Sequence, residues 1–84
     1  MATLFHTNGK TSTILPQNGD KFSLDELQQI VDGFIEIIQV NEQGWLVMDE
    51  DGKLKKMSEN KKASDNFNYP LLGNVILCSI SEIQ

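Results

Sequence analysis

Between Phe22 and Gly33 the chain carries a whole short helix with its own start and stop, and a strand pattern follows at once. That succession limits an 84-residue chain to folds that lay one helix on a sheet. Ser23 and Glu26 form a capping box: the serine oxygen accepts from the N–H three residues on, while the glutamate reaches back to the serine N–H. Phe22 precedes the cap and can pack on Leu27 as a hydrophobic staple. Leu24, Leu27, Ile30 and Val31 recur at the spacing of one buried stripe, and Gly33 is predicted to close the helix in the left-handed conformation.

The remaining elements read as strands and turns. Residues 3–7 and 11–15 flank Asn8-Gly9, which accepts the backbone of a tight hairpin turn, so residues 1–15 are predicted to form a short polar hairpin or edge arm. Pro16 ends regular pairing, and Asn18-Gly19 is predicted as the next turn. Residues 34–40 and 45–48 are strands joined by a hairpin loop over 41–44. The turn Glu50-Asp51-Gly52 is predicted to return Lys53-Leu54-Lys55 as a shorter third strand of a meander. Residues 58–67 read as a polar loop with a short helix, ended by Tyr69-Pro70. The apolar run Val75-Ile76-Leu77-Cys78 is a last strand predicted to be buried on both faces, mid-sheet or against another subunit. The expectation is a single α+β domain over 1–84, with 16–84 as its core: a small, mostly antiparallel sheet with one packed helix and a short helical loop.

So short a chain has a thin core, and small domains commonly supplement theirs with disulfides, a metal or a partner subunit. Cys78 is the single cysteine and His6 the single histidine, which leaves a homo-oligomer as the predicted supplement. No apolar stretch reaches the roughly 18 residues of a membrane span, no export signal opens the chain, and cysteine usage gives no sign of an oxidising compartment. A cytoplasmic protein without membrane contact is the expectation. A net charge of −5 argues against general nucleic-acid binding, which needs phosphates neutralised.

Two local oddities stand out. Alternation along the strand places Glu36 between Phe34 and Ile38 on one face. A carboxylate there is either solvated on an exposed face or engaged with a ligand or subunit, because burial without a partner costs several kcal/mol. The second oddity is charge: five of the seven basic residues, Lys53, Lys55, Lys56, Lys61 and Lys62, fall within ten positions, and the chain has no arginine. The cluster is a solvated loop or a positive rim for an anionic ligand. Asn60 and Asn74 have the donors and acceptors of a base reader and are equally suited to turns. Trp45 can stack on a base, anchor an interface or simply pack. His6 has no second ligand at a metal spacing, Asp49-Glu50-Asp51-Gly52 lacks the alternation of a calcium loop, and no nucleophile and base are paired. No cofactor, metal or catalytic activity is predicted.

The segments PQNGDKFSLDELQQIVDGFIEI, LVMDEDGKLKKMSENKKAS and PLLGNVILC occur in an order that resembles a family of small phage and mobile-element proteins, domain of unknown function 3846. Its pattern runs from a helix into Gly-Gly-aromatic-Ile-Glu, then an acidic-Gly-Lys-Leu turn, an Asn-containing segment and Gly-Asn/Asp-Val-Leu. Gly33, Ile35, Glu36, Gly52, Lys53, Leu54, Asn60, Ala63, Gly73, Asn74 and Val75 match, while Asp32 and Phe34 stand where glycine and tyrosine are commoner. The resemblance implies a phage protein that disables host defence in the host cytoplasm. The favoured expectation is a homo-oligomer that sequesters a nucleotide-derived immune signal, with Asn60, Lys61, Lys62 and Asn74 on phosphates and base, Glu36 on ribose hydroxyls and Trp45 available for stacking. The alternative is an acidic inhibitor that binds a host defence nuclease or other effector directly, through Glu42, Asp49, Glu50 and Asp51.

Overall fold

A computed structural model describes residues 1–17, 19–40 and 44–83. Five strands, β1 (Ala2–Phe5), β2 (Thr11–Ile14), β3 (Ile35–Val40), β4 (Gly44–Asp49) and β5 (Val75–Cys78), form one sheet in the order β2-β1-β5-β4-β3. Every neighbouring pair is antiparallel. Helix α1 (Leu24–Val31) connects β2 to β3, helix α2 (Lys61–Phe67) lies between β4 and β5, and a 3-10 turn (Ile80–Glu82) follows β5. The predicted α+β class holds. Among the described residues no helix is long and apolar enough to cross a membrane.

Helix α1 forms where its capping box predicts. The Ser23 hydroxyl accepts from the Glu26 N–H at 3.1 Å, and the Glu26 carboxylate accepts from the Ser23 N–H at 3.0 Å. Phe22, Leu27 and Val31 are buried with Val47, Ile76 and Cys78 on one face of the sheet. Leu24, expected in that stripe, is 57% exposed: as the first helical residue it lies at the edge of the contact, and Phe22 fills its place. The helix stop also differs from expectation. Asp32, not Gly33, takes the left-handed conformation, with φ 64°.

On the opposite face Phe5, Leu46, Met48, Ala63, Leu71 and Val75 make a second core, with Phe67 of α2 edge-on to Phe5 at 5.6 Å between ring centroids. The apolar run of β5 is explained by its central place: Ile76 and Cys78 point to the α1 side, Val75 and Leu77 to the α2 side. The N-terminal hairpin forms, but only β2 is an edge. β1 lies inside the sheet against β5 and buries Ala2, Leu4 and Phe5.

Residues 53–55 are not a strand. The Lys55 N–H bonds to the Asp51 carbonyl and the Met57 N–H to that of Gly52, so the chain curls through a compact turn, and β5 completes the meander begun by β3 and β4. The predicted loop over 41–44 and the Asn18-Gly19 turn fall mostly or partly outside the described residues.

Ser23→Ala is expected to lower the unfolding free energy by about 1 kcal/mol, read from urea denaturation. The Glu26 carboxyl is held below its ordinary range by the backbone N–H groups of Ser23 and Gln17. Its contribution is therefore present above the ordinary carboxylate pKa and is lost as pH falls through the depressed folded value. Glu26→Gln should flatten that part of the acid limb of the stability profile.

Candidate functional site

The α2 side of the sheet is not fully covered. Where α2 stops short of β3, a groove of about 310 Å³ opens, with Ile38, Met48 and Leu72 among its apolar lining and Glu36, Lys53 and Tyr69 among its polar lining. Glu36 and Ile38 come from β3, Met48 from β4, Lys53 from the turn after β4, and Tyr69 and Leu72 from the connection between α2 and β5. A second depression of about 450 Å³ continues past Ile38 and Tyr69 toward Val40, Asn66 and Phe67. Among the described residues the side chains of Glu36, Lys53 and Tyr69 have no hydrogen-bond or ion-pair partner. Glu50 and Asp51 add two further carboxylates to the lining, so that three carboxylates, one ammonium and a phenol ring surround an apolar floor, each able to meet an incoming group.

The rim of the groove is fixed at the end of β4 by an ion pair between a buried carboxylate and an exposed ammonium. Asp49 is buried, and its carboxylate accepts from the Lys55 ammonium at 2.8 Å and from the Asp51 N–H at 2.7 Å. Lys55 also donates to the Asp32 carbonyl at the C-terminus of α1, at 3.1 Å. These bonds pull the chain into the turn that replaces the predicted third strand. They also explain Gly33, whose Cβ, were there one, would collide with the Lys55 ammonium and the Asp49 carboxylate. Gly52 permits a second close approach, since a Cβ there would lie 3.3 Å from that of Leu72. The Asp49 hydrogen bond is the main cause that raises the Lys55 pKa above its ordinary value.

The six residues singled out from sequence do not converge. Glu36 lines the groove. Lys61 and Lys62 stand exposed on the first turn of α2. Asn74 lies on the α1 side, its amide 3.5 Å from the Ile30 carbonyl, and alternation along β4 puts half-buried Trp45 on the same side as Val47. Asn60 is fully buried. Its amide nitrogen donates to the carbonyls of Phe5 and Gly73, both at 2.8 Å, and its oxygen accepts from the Ala63 N–H at 3.2 Å. The side chain expected to read a base is thus turned inward and spent on the fold. In the sequence Lys53 stands in the basic cluster, a solvated loop or a positive rim, and Tyr69 precedes the breaking Pro70; nothing local singles either out as a neighbour of Glu36.

The other reactive groups lie elsewhere. His6 shares a hydrogen bond with Ser12 at 2.9 Å on the hairpin. Burial, with the Glu82 charge adding to it, pushes the Cys78 thiol up to about 11, where thiolate chemistry is suppressed. Glu82 is held by the N-terminal ammonium and by Ser79 beside a shallow depression of about 640 Å³ whose lining mixes apolar residues such as Leu15 and Leu77 with Thr3, Ser79 and Ser81. Among the described residues no group of three His, Cys, Asp or Glu side chains is disposed to hold a metal.

The chain belongs to the domain of unknown function family DUF3846, whose family model matches residues 1–83. No curated protein and no solved structure matches it. The match extends over the N-terminal hairpin, which the sequence motifs alone did not reach.

Gly33→Ala is expected to destabilise the protein by about 1–3 kcal/mol through overpacking. Because the clash falls on the Asp49–Lys55 pair, the loss should be sub-additive with that of Lys55→Met in a double-mutant cycle read by urea unfolding.

Proposed function

Taking membership of this family as the premise, we propose that the protein is a phage-type anti-defence binder that sequesters a small nucleotide-derived signalling molecule as a homo-oligomer, in the host cytoplasm. The observation that carries this reading is the set of uncommitted groups of different chemistry around the apolar floor of the groove, Glu36, Lys53 and Tyr69, with the carboxylates of Glu50 and Asp51 at its mouth. A nucleotide offers each a counterpart. A base stacks on the Tyr69 ring, ribose hydroxyls or a base N–H donate to Glu36, and a phosphate meets Lys53 as a point charge. The apolar floor of Ile38, Met48 and Leu72 accepts the face of the ring and excludes water, as small-molecule sites do. Sequestration requires orientation and desolvation without a chemical step.

The site differs in composition from the one expected from sequence. Glu36 is retained, Lys53 takes the phosphate role given to Lys61 and Lys62, Tyr69 takes the stacking role given to Trp45, and Asn60 supports the wall from behind. Direct inhibition of a host effector is a second reading, favoured by exposed Glu50 beside Asp51 at the groove mouth. Asp49 takes no part in such a surface, because it is buried and paired.

A thermal-shift screen against cyclic dinucleotides, cyclic trinucleotides and cyclic ADP-ribose isomers tests the first reading. A specific shift is expected at micromolar ligand, with the ligand recovered intact after denaturation. Glu36→Ala and Tyr69→Ala should each weaken binding at least tenfold while leaving the circular dichroism spectrum unchanged. A silent panel, together with loss of effector binding in Glu50→Lys, would favour the second.

A further inference from the structure

We propose that β3 is a self-pairing edge: two copies of the chain join antiparallel through β3 about a two-fold axis at Ile37. The proposal rests on the homo-oligomer half of the functional reading and is independent of the ligand. β2 and β3 are the two ends of the sheet, and they differ. β2 has four residues, mostly exposed hydroxyl side chains. β3 has six residues and lacks the lysine, proline or bulge with which proteins usually blunt an edge. Its exposed side chains are mixed, with Glu36 the single charge beside Gln39, and the apolar ones are prominent: Phe34 is 67% exposed and Ile37 39%.

Backbone parity determines which groups this edge offers. The Glu50 N–H bonds to the Phe34 carbonyl, in the register that pairs Ile35 with Asp49 and Glu36 with Met48. Hydrogen-bonded and non-bonded pairs alternate in an antiparallel ladder. Glu36, Ile38 and Val40 therefore turn their backbone groups inward to β4, and Ile35, Ile37 and Gln39 turn theirs outward. Side-chain alternation further requires that facing residues lie on the same side of the combined sheet.

A two-fold axis at Ile37 satisfies both conditions. It sets Ile37 against the second copy's Ile37 and Ile35 against its Gln39, using the outward groups in about six backbone hydrogen bonds. On the groove side, Glu36 faces the second copy's Ile38, and Phe34 faces its Val40. An axis at Glu36 would oppose two carboxylates, which is unfavourable. An axis at Ile38 would carry Phe34 past the end of the partner strand. The arrangement is isologous and closes at a dimer, whereas pairing β3 to β2 would propagate. It also places the two grooves side by side across the axis, so that the carboxylate of one copy stands against Ile38 of the other, a residue that lines the other's groove. Each site then includes a residue from its neighbour.

Sedimentation velocity on the full chain at tens of micromolar should give a dimer, twice the 9.4 kDa chain mass. Ile37→Pro removes an N–H that is outward and unbonded within the chain, a change edge strands tolerate. It should give a folded monomer. If that variant fails to fold, Ile37→Cys supplies the readout: under mild oxidation it should form a covalent dimer faster than Glu36→Cys or Ile38→Cys, while buried Cys78 stays out of the reaction. A monomeric wild-type chain, a dimer that persists in folded Ile37→Pro, or equal cross-linking at all three positions would overturn the proposal. A dimer that binds no nucleotide would refute sequestration alone, and a monomer that binds one would refute this interface together with the homo-oligomer half of the functional reading, leaving sequestration standing.

Discussion

The fold depends on one side-chain amide. Asn60 caps α2 with its oxygen and, with its nitrogen, donates to the carbonyl that ends β1 and to the carbonyl of Gly73, just ahead of β5. Its backbone adds two more links, from its N–H to the Leu71 carbonyl and from the Ser64 N–H to its own carbonyl, both at 2.8 Å. Every polar atom of the residue is thereby satisfied while the residue is fully buried. Such a network adds stability only when it is complete, since a buried amide with a missing partner costs about 1–3 kcal/mol.

The consequences reach the groove. A helix of seven residues has too few turns to persist in isolation, and α2 carries only Ala63 and Phe67 into the core. It is held by its cap and by Ser64, whose hydroxyl accepts from the Leu71 N–H at 2.9 Å. The segment from Tyr69 to Leu72, one wall of the groove, hangs from these bonds. The opposite rim is set by Asp49 and Lys55, which fasten the turn carrying Lys53 to the C-terminus of α1. Tyr69 and Lys53 are thus presented by two short irregular segments, each tied down by a buried polar side chain, and the sheet supplies the floor.

Much of this was legible in the sequence because it is local. The capping box, the Asn8-Gly9 hairpin and the doubly buried β5 each follow from neighbouring residues. What failed depends on distant ones. Lys53-Leu54-Lys55 looks like a strand until Asp49 is seen to be buried and in need of two donors. Gly33 looks like a helix stop, yet Asp32 takes that conformation; Gly33 is instead required by what packs against it. Asn60, flanked by polar residues and followed by two lysines, reads as surface, because nothing local reveals that the ends of two strands converge on it. Of the residues that line the candidate groove, Glu36 alone is singled out as a ligand contact in the sequence, by its misfit within an apolar strand. Tyr69 and Lys53 are brought to it by turns whose geometry the sequence does not spell out.

Asn60 couples β1, α2 and the approach to β5 into one unit, and amide hydrogen exchange in Asn60→Asp reads that coupling. The aspartate keeps the shape and the cap acceptor but sets an oxygen against two carbonyls. Protection is expected to fall together at the end of β1, across α2 and around Leu71 to Gly73, while α1 and the β3–β4 ladder keep theirs. Loss confined to the first turn of α2, with the β1–β5 pairing as protected as before, would contradict it.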